Sequence, residues 1–367
     1  MYMKYDSISV IHFILLSMTF IGLKNHVTIL PPLLSHAGRD GWASVLLSTF
    51  FLLFWVFLLL YIHKKTNQKE IKQLLGEQIG KVWSTIFHVI LAIFFMLLAA
   101  FTMRETLQWI NATFLIETPI LSLLIIYVVL CIMLASTSLR TILITNAIVL
   151  FGVVIFGFFV AIVNIQVKDY VLLLPLFEHG FQPVLKGMIY PASGTIEVVF
   201  LLFLQHKMKG RLRFIHYLII IGILTILTLG PLLGAITEFG PDEAIKQRFP
   251  AYEEWGLVSI GRFIEHLDFL SIYQWLTGAF IRVGLILYIV IHLFDFHRKP
   301  KKIWFIISPA FLIICLILLK VEDHTFIKWQ GDYFLPMTFV MFFIISLFYG
   351  LVAFISSRKR RQKREFK

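Results

Sequence analysis

An acid, Glu197, and a base, Arg282, stand inside long apolar stretches of the chain, with Lys24 in a third. On insertion scales an isolated charge at the centre of a membrane helix costs about 2.5–3.5 kcal/mol, so such residues need partners or line a polar path. The residues around them are spaced to support this. Ser271, Gln274, Gly278 and Arg282 follow at intervals of 3, 4 and 4 and fall on one helical face. Ser193, Glu197 and Gln205 share a second face, and His12, Thr19, Gly22 and His26 a third. Three polar faces meeting in an apolar chain describe a binding cavity rather than a catalytic centre. Glu197 and Arg282 also suit a plain structural ion pair. Lys24 fits an unwound segment or a side chain reaching for the interface. His12 and His26 have no acidic or Cys neighbours in ligand spacing, so neither a metal nor a cofactor is expected. The chain has no GxSxG, HExxH, GxxxxGK[ST] or CxxC pattern, so no enzymatic activity is expected.

The elements that must hold these residues are membrane helices. Of the 367 residues, 59% are hydrophobic and 15% charged, and mean hydropathy is +0.86. A soluble domain carries about 25% charged residues. Apolar runs long enough to cross a bilayer occupy roughly 7–34, 40–62, 83–103, 119–136, 141–165, 184–206, 214–236, 267–295, 303–319 and 334–356. The fold class is therefore all-α and polytopic, with about ten transmembrane helices. One transmembrane domain covers 1–357, with halves at 1–165 and 184–357, and a basic tail covers 358–367. The two cysteines, Cys131 and Cys315, sit in apolar runs and read as packing residues.

The net charge of +12 does not point to nucleic acid, because the charge is sided. The termini and the loops on their side hold 22 of the 33 basic residues. The opposite loops hold nine, and Lys24 and Arg282 lie within spans. The excess places both termini in the cytoplasm. The tail from Arg358 suits an anchor to anionic lipid, and 68–80 an interfacial helix. The loop at 237–262 is long and acidic, and its Phe249, Tyr252 and Trp255 are expected to hold it against the outer interface.

Two spans are interrupted at corresponding places. The first span of half one reads Phe20-Ile-Gly-Leu-Lys-Asn-His-Val-Thr-Ile-Leu-Pro-Pro32; the first of half two reads Gly187-Met-Ile-Tyr-Pro-Ala-Ser-Gly-Thr-Ile-Glu197. Matched breaks in two halves point to a transporter-type binding site. Freed backbone groups at membrane depth must line a cavity, where half-helix N-termini suit a carboxylate and freed carbonyls an ammonium. That combination fits a zwitterionic amino acid. A packing kink is the plainer alternative. Five spans per half is odd, so the halves are inverted relative to each other.

Several segments, in this order, resemble the spore germination permeases of the GerAB type, a LeuT-like branch of the amino acid/polyamine/organocation superfamily. They are the break from Gly22 to Pro31, Gly38-Arg-Asp-Gly-Trp42, Arg104 followed by Glu117-Thr-Pro119, Ser193-Gly-Thr-Ile-Glu197, Ile264-Glu-His-Leu-Asp268, and Trp275-Leu-Thr-Gly-Ala-Phe-Ile-Arg282. The family often has Lys where this chain has Arg282, which keeps the charge but changes its geometry. The resemblance implies a germinant-receptor subunit of the spore inner membrane, working with an A subunit and a C lipoprotein subunit. It also implies a small nutrient ligand, an amino acid, sugar or nucleoside, with Glu197 as the acid carried over. The breaks and polar faces place the ligand, an amino acid by their chemistry, among Thr19, Gly22, His26, Ser193, Gly194, Glu197, Gln274, Gly278 and Arg282. The competing reading is an ion- or proton-coupled amino acid permease.

Overall fold

A computed structural model describes residues 7–261 and 265–365. Lys4, Arg262, Ile264 and Lys367, which enter the charge pattern and the motifs above, lie outside the described residues. The described chain is helical throughout, and its sole strand-like feature is an isolated bridge between Ile8 and Met208.

Among the described residues nine helices are long and apolar enough to cross a membrane, and a shorter apolar helix, Ile120–Ala135, occupies the fourth position of the series. Numbered as spans in chain order, they begin with span one, which is α-helical over Val10–Leu23, widens to a π-turn over Lys24–Thr28 and resumes at Leu30–Ala37. Pro31 and Pro32 fall in the first turn of that last piece, where a missing N–H costs nothing. Spans two to five are Gly41–Thr66, Lys81–Thr113, Ile120–Ala135 and Leu139–Val163. Span six is assembled from Gln182–Gly187, Ile189–Thr195, a 3-10 turn at Ile196–Val199 and Phe200–Leu204. Spans seven and eight are Phe214–Phe239 and Leu270–Leu293; span nine ends in Ser308–Leu319, and span ten in Leu335–Glu365.

The expected break in span six lies downstream of Pro191 and Gly194. Pro191 is the third residue of its short helix and needs no donor there, so the α-helix runs to Thr195 before tightening. Cys131 and Cys315 are buried free thiols, as their apolar runs suggest.

Part of the helix packing repeats between the halves. Span one packs on spans five and seven, and span six on spans ten and two; span three packs on span nine, and span eight on span four. Each pair becomes the other when every span number is shifted by five. Outside this core, span five exposes Ile148, Phe151, Ile155, Phe158 and Ile162. Their spacing makes one apolar stripe of the kind that faces lipid.

The ends of the bundle sort as the basic residues do. Ile8 N donates to Lys207 O and Lys209 N to Ile8 O, both at 2.8 Å. The Gln68 side chain donates to Gly210 O, and Lys72 pairs with Asp295. The N-terminus, the 64–82 stretch, the 207–213 loop and the span eight–nine loop therefore share one end. Helix Ile71–Ile79 lies there and buries Ile71, Leu74 and Leu75. With this end inside, cysteines from Glu70→Cys and Ile245→Cys are expected to react with a membrane-impermeant reagent from opposite faces of sealed vesicles. Equal accessibility would contradict the topology.

At the other end the structure corrects one expectation. Phe249, Tyr252 and Trp255 turn inward instead of lying at the interface. The loop folds into short helices Pro241–Ala244 and Pro250–Gly256. Phe249 meets the Trp275 ring edge-on at 5.0 Å, Tyr252 meets Trp109 at 5.4 Å, and the two tryptophans stack at 4.2 Å. Closing over the bundle buries these rings against protein, which a pattern of exposed-loop aromatics does not reveal.

Candidate ligand-binding site

The two helix interruptions meet at one carboxylate. In a regular helix the Phe20 carbonyl would accept from Lys24 N four residues on. At the π-turn Lys24 N bonds to Ile21 O instead, and Phe20 O accepts from Arg282 Nη1 at 2.6 Å. In span six the 3-10 turn takes its hydrogen bonds three residues back, and the Ser193 carbonyl accepts from Lys24 Nζ at 3.0 Å. Glu197 sits on that turn. It accepts from Lys24 Nζ at 2.9 Å and from both terminal nitrogens of Arg282 at 2.6 and 2.9 Å. Arg282 Nε donates to Thr102 Oγ1 at 3.1 Å, and its guanidinium lies 4.9 Å from the Phe20 ring. Lys24, Glu197 and Arg282 are 3%, 0% and 1% exposed, so nothing in solvent screens them. Two cations share one anion, and freed backbone carbonyls take up the excess positive charge.

Of the residues singled out in the sequence, Glu197 and Arg282 come together, joined by Lys24. Ser193 contributes its carbonyl, while its hydroxyl donates to Tyr190 O. Three glycines mark where helices approach: a Cβ on Gly22 would meet Leu227 at 3.1 Å, on Gly194 Asn25 Oδ1 at 1.9 Å, and on Gly278 Leu23 at 3.2 Å. Thr19 bonds back to Leu15 O within its own helix. His26 Nδ1 bonds Leu227 O on span seven. Gln274 lies further along span eight, between Val153 O and the Trp255 indole. His12 sits at the exposed start of span one with Ser9. Sequence reasoning missed Asn25, whose amide donates to Thr195 and Thr228 and ties spans one, six and seven together. It also missed Thr102 and Glu105 on span three.

Glu105 opens the second part of the site. A cavity of about 270 Å³ at the end opposite the termini is lined by the second half of span one, by 245–249 of the folded loop and by 326–332. Thr28 donates to Glu105 Oε2 at 2.7 Å at its floor. At its edge, Asp323 accepts from Arg248 Nη2 at 2.7 Å and from Arg104 Nη1 at 3.2 Å. Arg104 also donates to Leu318 O and Val321 O at 2.9 and 2.8 Å. This network clips span three, the folded loop and the connection before span ten to one another.

The folded loop carries a titratable latch. Glu254 is buried against Gly234, where even a Cβ would come within 2.6 Å of its carboxylate. Asn164 Nδ2 donates to the Glu254 backbone carbonyl at 2.7 Å and to Glu238 at 3.0 Å, and Lys168 lies 3.5 Å from Glu238. Burial first, then the Glu238 charge, push the Glu254 carboxyl well above the usual range, against the pull of Lys168. A folded-state value raised above the unfolded one stabilises at low pH, and that stability is lost as pH rises through the raised value. The wild-type melting temperature in detergent is therefore expected to fall as pH rises from the ordinary carboxylate range toward the raised value. Glu254→Gln, which copies the protonated form, is expected to flatten that fall. An identical pH dependence in both proteins would contradict the latch.

Comparison with known proteins bears on what this geometry serves. A family model described as "Spore germination protein" matches residues 7–325. Spore germination protein XB of Bacillus anthracis is 37% identical over 344 residues, 93% of this chain and 96% of that protein. Putative spore germination protein YfkT of Bacillus subtilis (strain 168) is 27% identical over 301 residues, 80% and 81% of the two chains. Spore germination protein KB of the same strain is 23% identical over 347 residues, 90% of each.

Proposed function

The chain belongs to the family of spore germination proteins, and from that premise we propose that it is the nutrient-binding membrane subunit of a germinant receptor. It is a multi-pass membrane protein of this germination family. The finer reading is a single transmembrane domain over 1–357 with a basic tail. It lies in the spore inner membrane with both termini on the core side, and works with an A subunit and a C lipoprotein subunit. The observation that carries it is the Lys24–Glu197–Arg282 centre, which joins the interrupted turns of spans one and six to span eight beneath a polar cavity. A ligand shifts such an arrangement only through its differential affinity for two states. Irregular turns held by ion pairs supply two arrangements at modest cost. The test is germination of a deletion strain complemented with this chain, scored against single nutrients. A response to none of them would contradict the reading.

A sensor must pass the shift on. The segments gathered at the terminal end, 64–82, 207–213 and the tail from Arg358, are basic and suit an acidic partner surface, with anionic lipid as the competing occupant. Lys209→Glu with Arg211→Glu is expected to abolish germination while radiolabelled nutrient still binds membranes carrying the variant. Loss of both together would mean misfolding and remove the loop from the signalling path.

A further inference from the structure

We propose that the cavity floored by Glu105 is itself the nutrient site, and that Glu105 takes the ammonium group of the ligand. The inference deepens the receptor reading and rests on it, but it moves the ligand away from the glycines of the two interrupted helices. Those glycines are filled by the chain itself: Gly22 faces Leu227, Gly194 faces Asn25 and Gly278 faces Leu23. Glu197 is likewise satisfied by two cations.

Glu105 differs. It is 7% exposed, it lies in a membrane helix, and its hydrogen-bonding partner is the neutral Thr28 hydroxyl. Among the described residues no cation lies within ion-pair distance of it, although Arg248, Arg282 and Lys24 act on it from further away. A buried carboxylate held by a single neutral donor at the floor of an open cavity is a ready acceptor for an incoming ammonium. The cavity walls are Pro31, Pro32 and Phe249, and its lining also carries Lys246, Arg248, Lys328 and Asp332; Arg248 is paired with Asp323 and Lys246 with Glu243. The Glu105 carboxylate below sets the polarity of the ligand: ammonium inward, with its anionic group outward among the side chains of Lys328, Arg248 and Lys246. At about 270 Å³ the cavity falls below the range of roughly 300–1,000 Å³ typical of drug-sized ligands. A small zwitterion fits that size and polarity, whereas a neutral sugar leaves the carboxylate unpaired.

The site also has a direct mechanical link. Thr28 is the last residue of the π-turn that begins at Lys24. A ligand drawing on Glu105 competes for the carboxylate that holds Thr28, and so pulls on the turn that carries Lys24 to Glu197.

The experiment uses spores of a strain lacking the native receptor and complemented with this chain. The probes are the standard amino acids singly, each active one in parallel with its N-acetyl form, and inosine and glucose as amine-free nutrients. Expected are a response to at least one amino acid, none to its N-acetyl form, and a half-maximal concentration about tenfold to a hundredfold higher in Glu105→Gln with normal accumulation of the chain. Thr28→Val is expected to shift the response less. An equal response to an N-acetyl form, or an unchanged dose response in Glu105→Gln, would overturn the assignment. So would a response confined to inosine or glucose, while leaving the receptor reading intact. The N-acetyl comparison is made on the wild-type chain, so it decides the matter even where Glu105→Gln fails to accumulate. Silence to every probe would instead count against the receptor reading itself.

Discussion

Glu197→Gln is expected to be the most damaging single change in the protein, worse than removing either of its partners. The wild-type centre holds two cations and one anion. Arg282→Gln leaves a neutral Lys24–Glu197 pair, and Lys24→Met leaves the two-pronged Arg282–Glu197 pair. Glu197→Gln leaves Lys24 and Arg282 facing each other without an anion, at 3% and 1% exposure. Stranding one buried charge costs about 3–5 kcal/mol, and here two like charges are stranded together. Glu197→Gln is therefore expected to empty the membrane fraction of folded chain, while Arg282→Gln and Lys24→Met accumulate at reduced levels. Glu197→Gln combined with Arg282→Gln still strands Lys24, so it restores stability only in part. Immunoblotting of membranes and melting in detergent measure this order. Equal losses for the three single variants would mean that the centre is not a shared carboxylate.

Gly194→Ala is expected to cost more than a methyl group normally does. Its Cβ would stand 1.9 Å from Asn25 Oδ1, and Asn25 is held by Thr195 and Thr228. To make room Asn25 must give up those bonds, which separates span one from spans six and seven next to Lys24. Overpacking a tight core costs about 1–3 kcal/mol, and the freed amide adds about 1–3 kcal/mol if it stays buried without a partner. Two other glycines calibrate the result. Gly22→Ala meets only the flexible tip of Leu227 at 3.1 Å and is expected to be mild. Gly230→Ala, inside span seven, has nothing within 4 Å and is expected to be neutral or slightly stabilising. Thermal stability measured on all three should rank them Gly194, Gly22, Gly230, from most to least damaged. A Gly194→Ala as mild as Gly22→Ala would show that Asn25 moves freely and is no tie between the helices.

These two expectations mark how far the residues themselves carried the reading. The ten apolar runs were legible because the bilayer dictates their length, and the spans fall on them within a few residues at most ends. The Glu197–Arg282 pair was legible because membrane charges demand partners. Lys24 was ambiguous: whether a widened turn aims a side chain inward or outward depends on what lies opposite, and the carboxylate opposite is 173 residues away in the chain. Glu105 escaped notice for a related reason. Arg104 and Glu105 look like the end of an apolar run, so span three was expected to stop near 103. The helix continues to Thr113 because Arg104 reaches sideways to Leu318 O and Val321 O while Glu105 turns inward to Thr28. Neither partner is near in sequence. The aromatic loop was misplaced on the same grounds, since only the folded chain brings Trp109 and Trp275 under Phe249 and Tyr252.

Sensing and transport part company in a single measurement. Sealed vesicles containing this chain alone are loaded with buffer, given a proton or sodium gradient, and offered the radiolabelled nutrient that triggers germination of the complemented spores. A receptor subunit is expected to bind the label saturably, in proportion to the protein present, and to lose it on dilution whether or not the gradient is maintained. Gradient-driven accumulation of the label inside the vesicles would contradict the receptor reading and make the chain a permease.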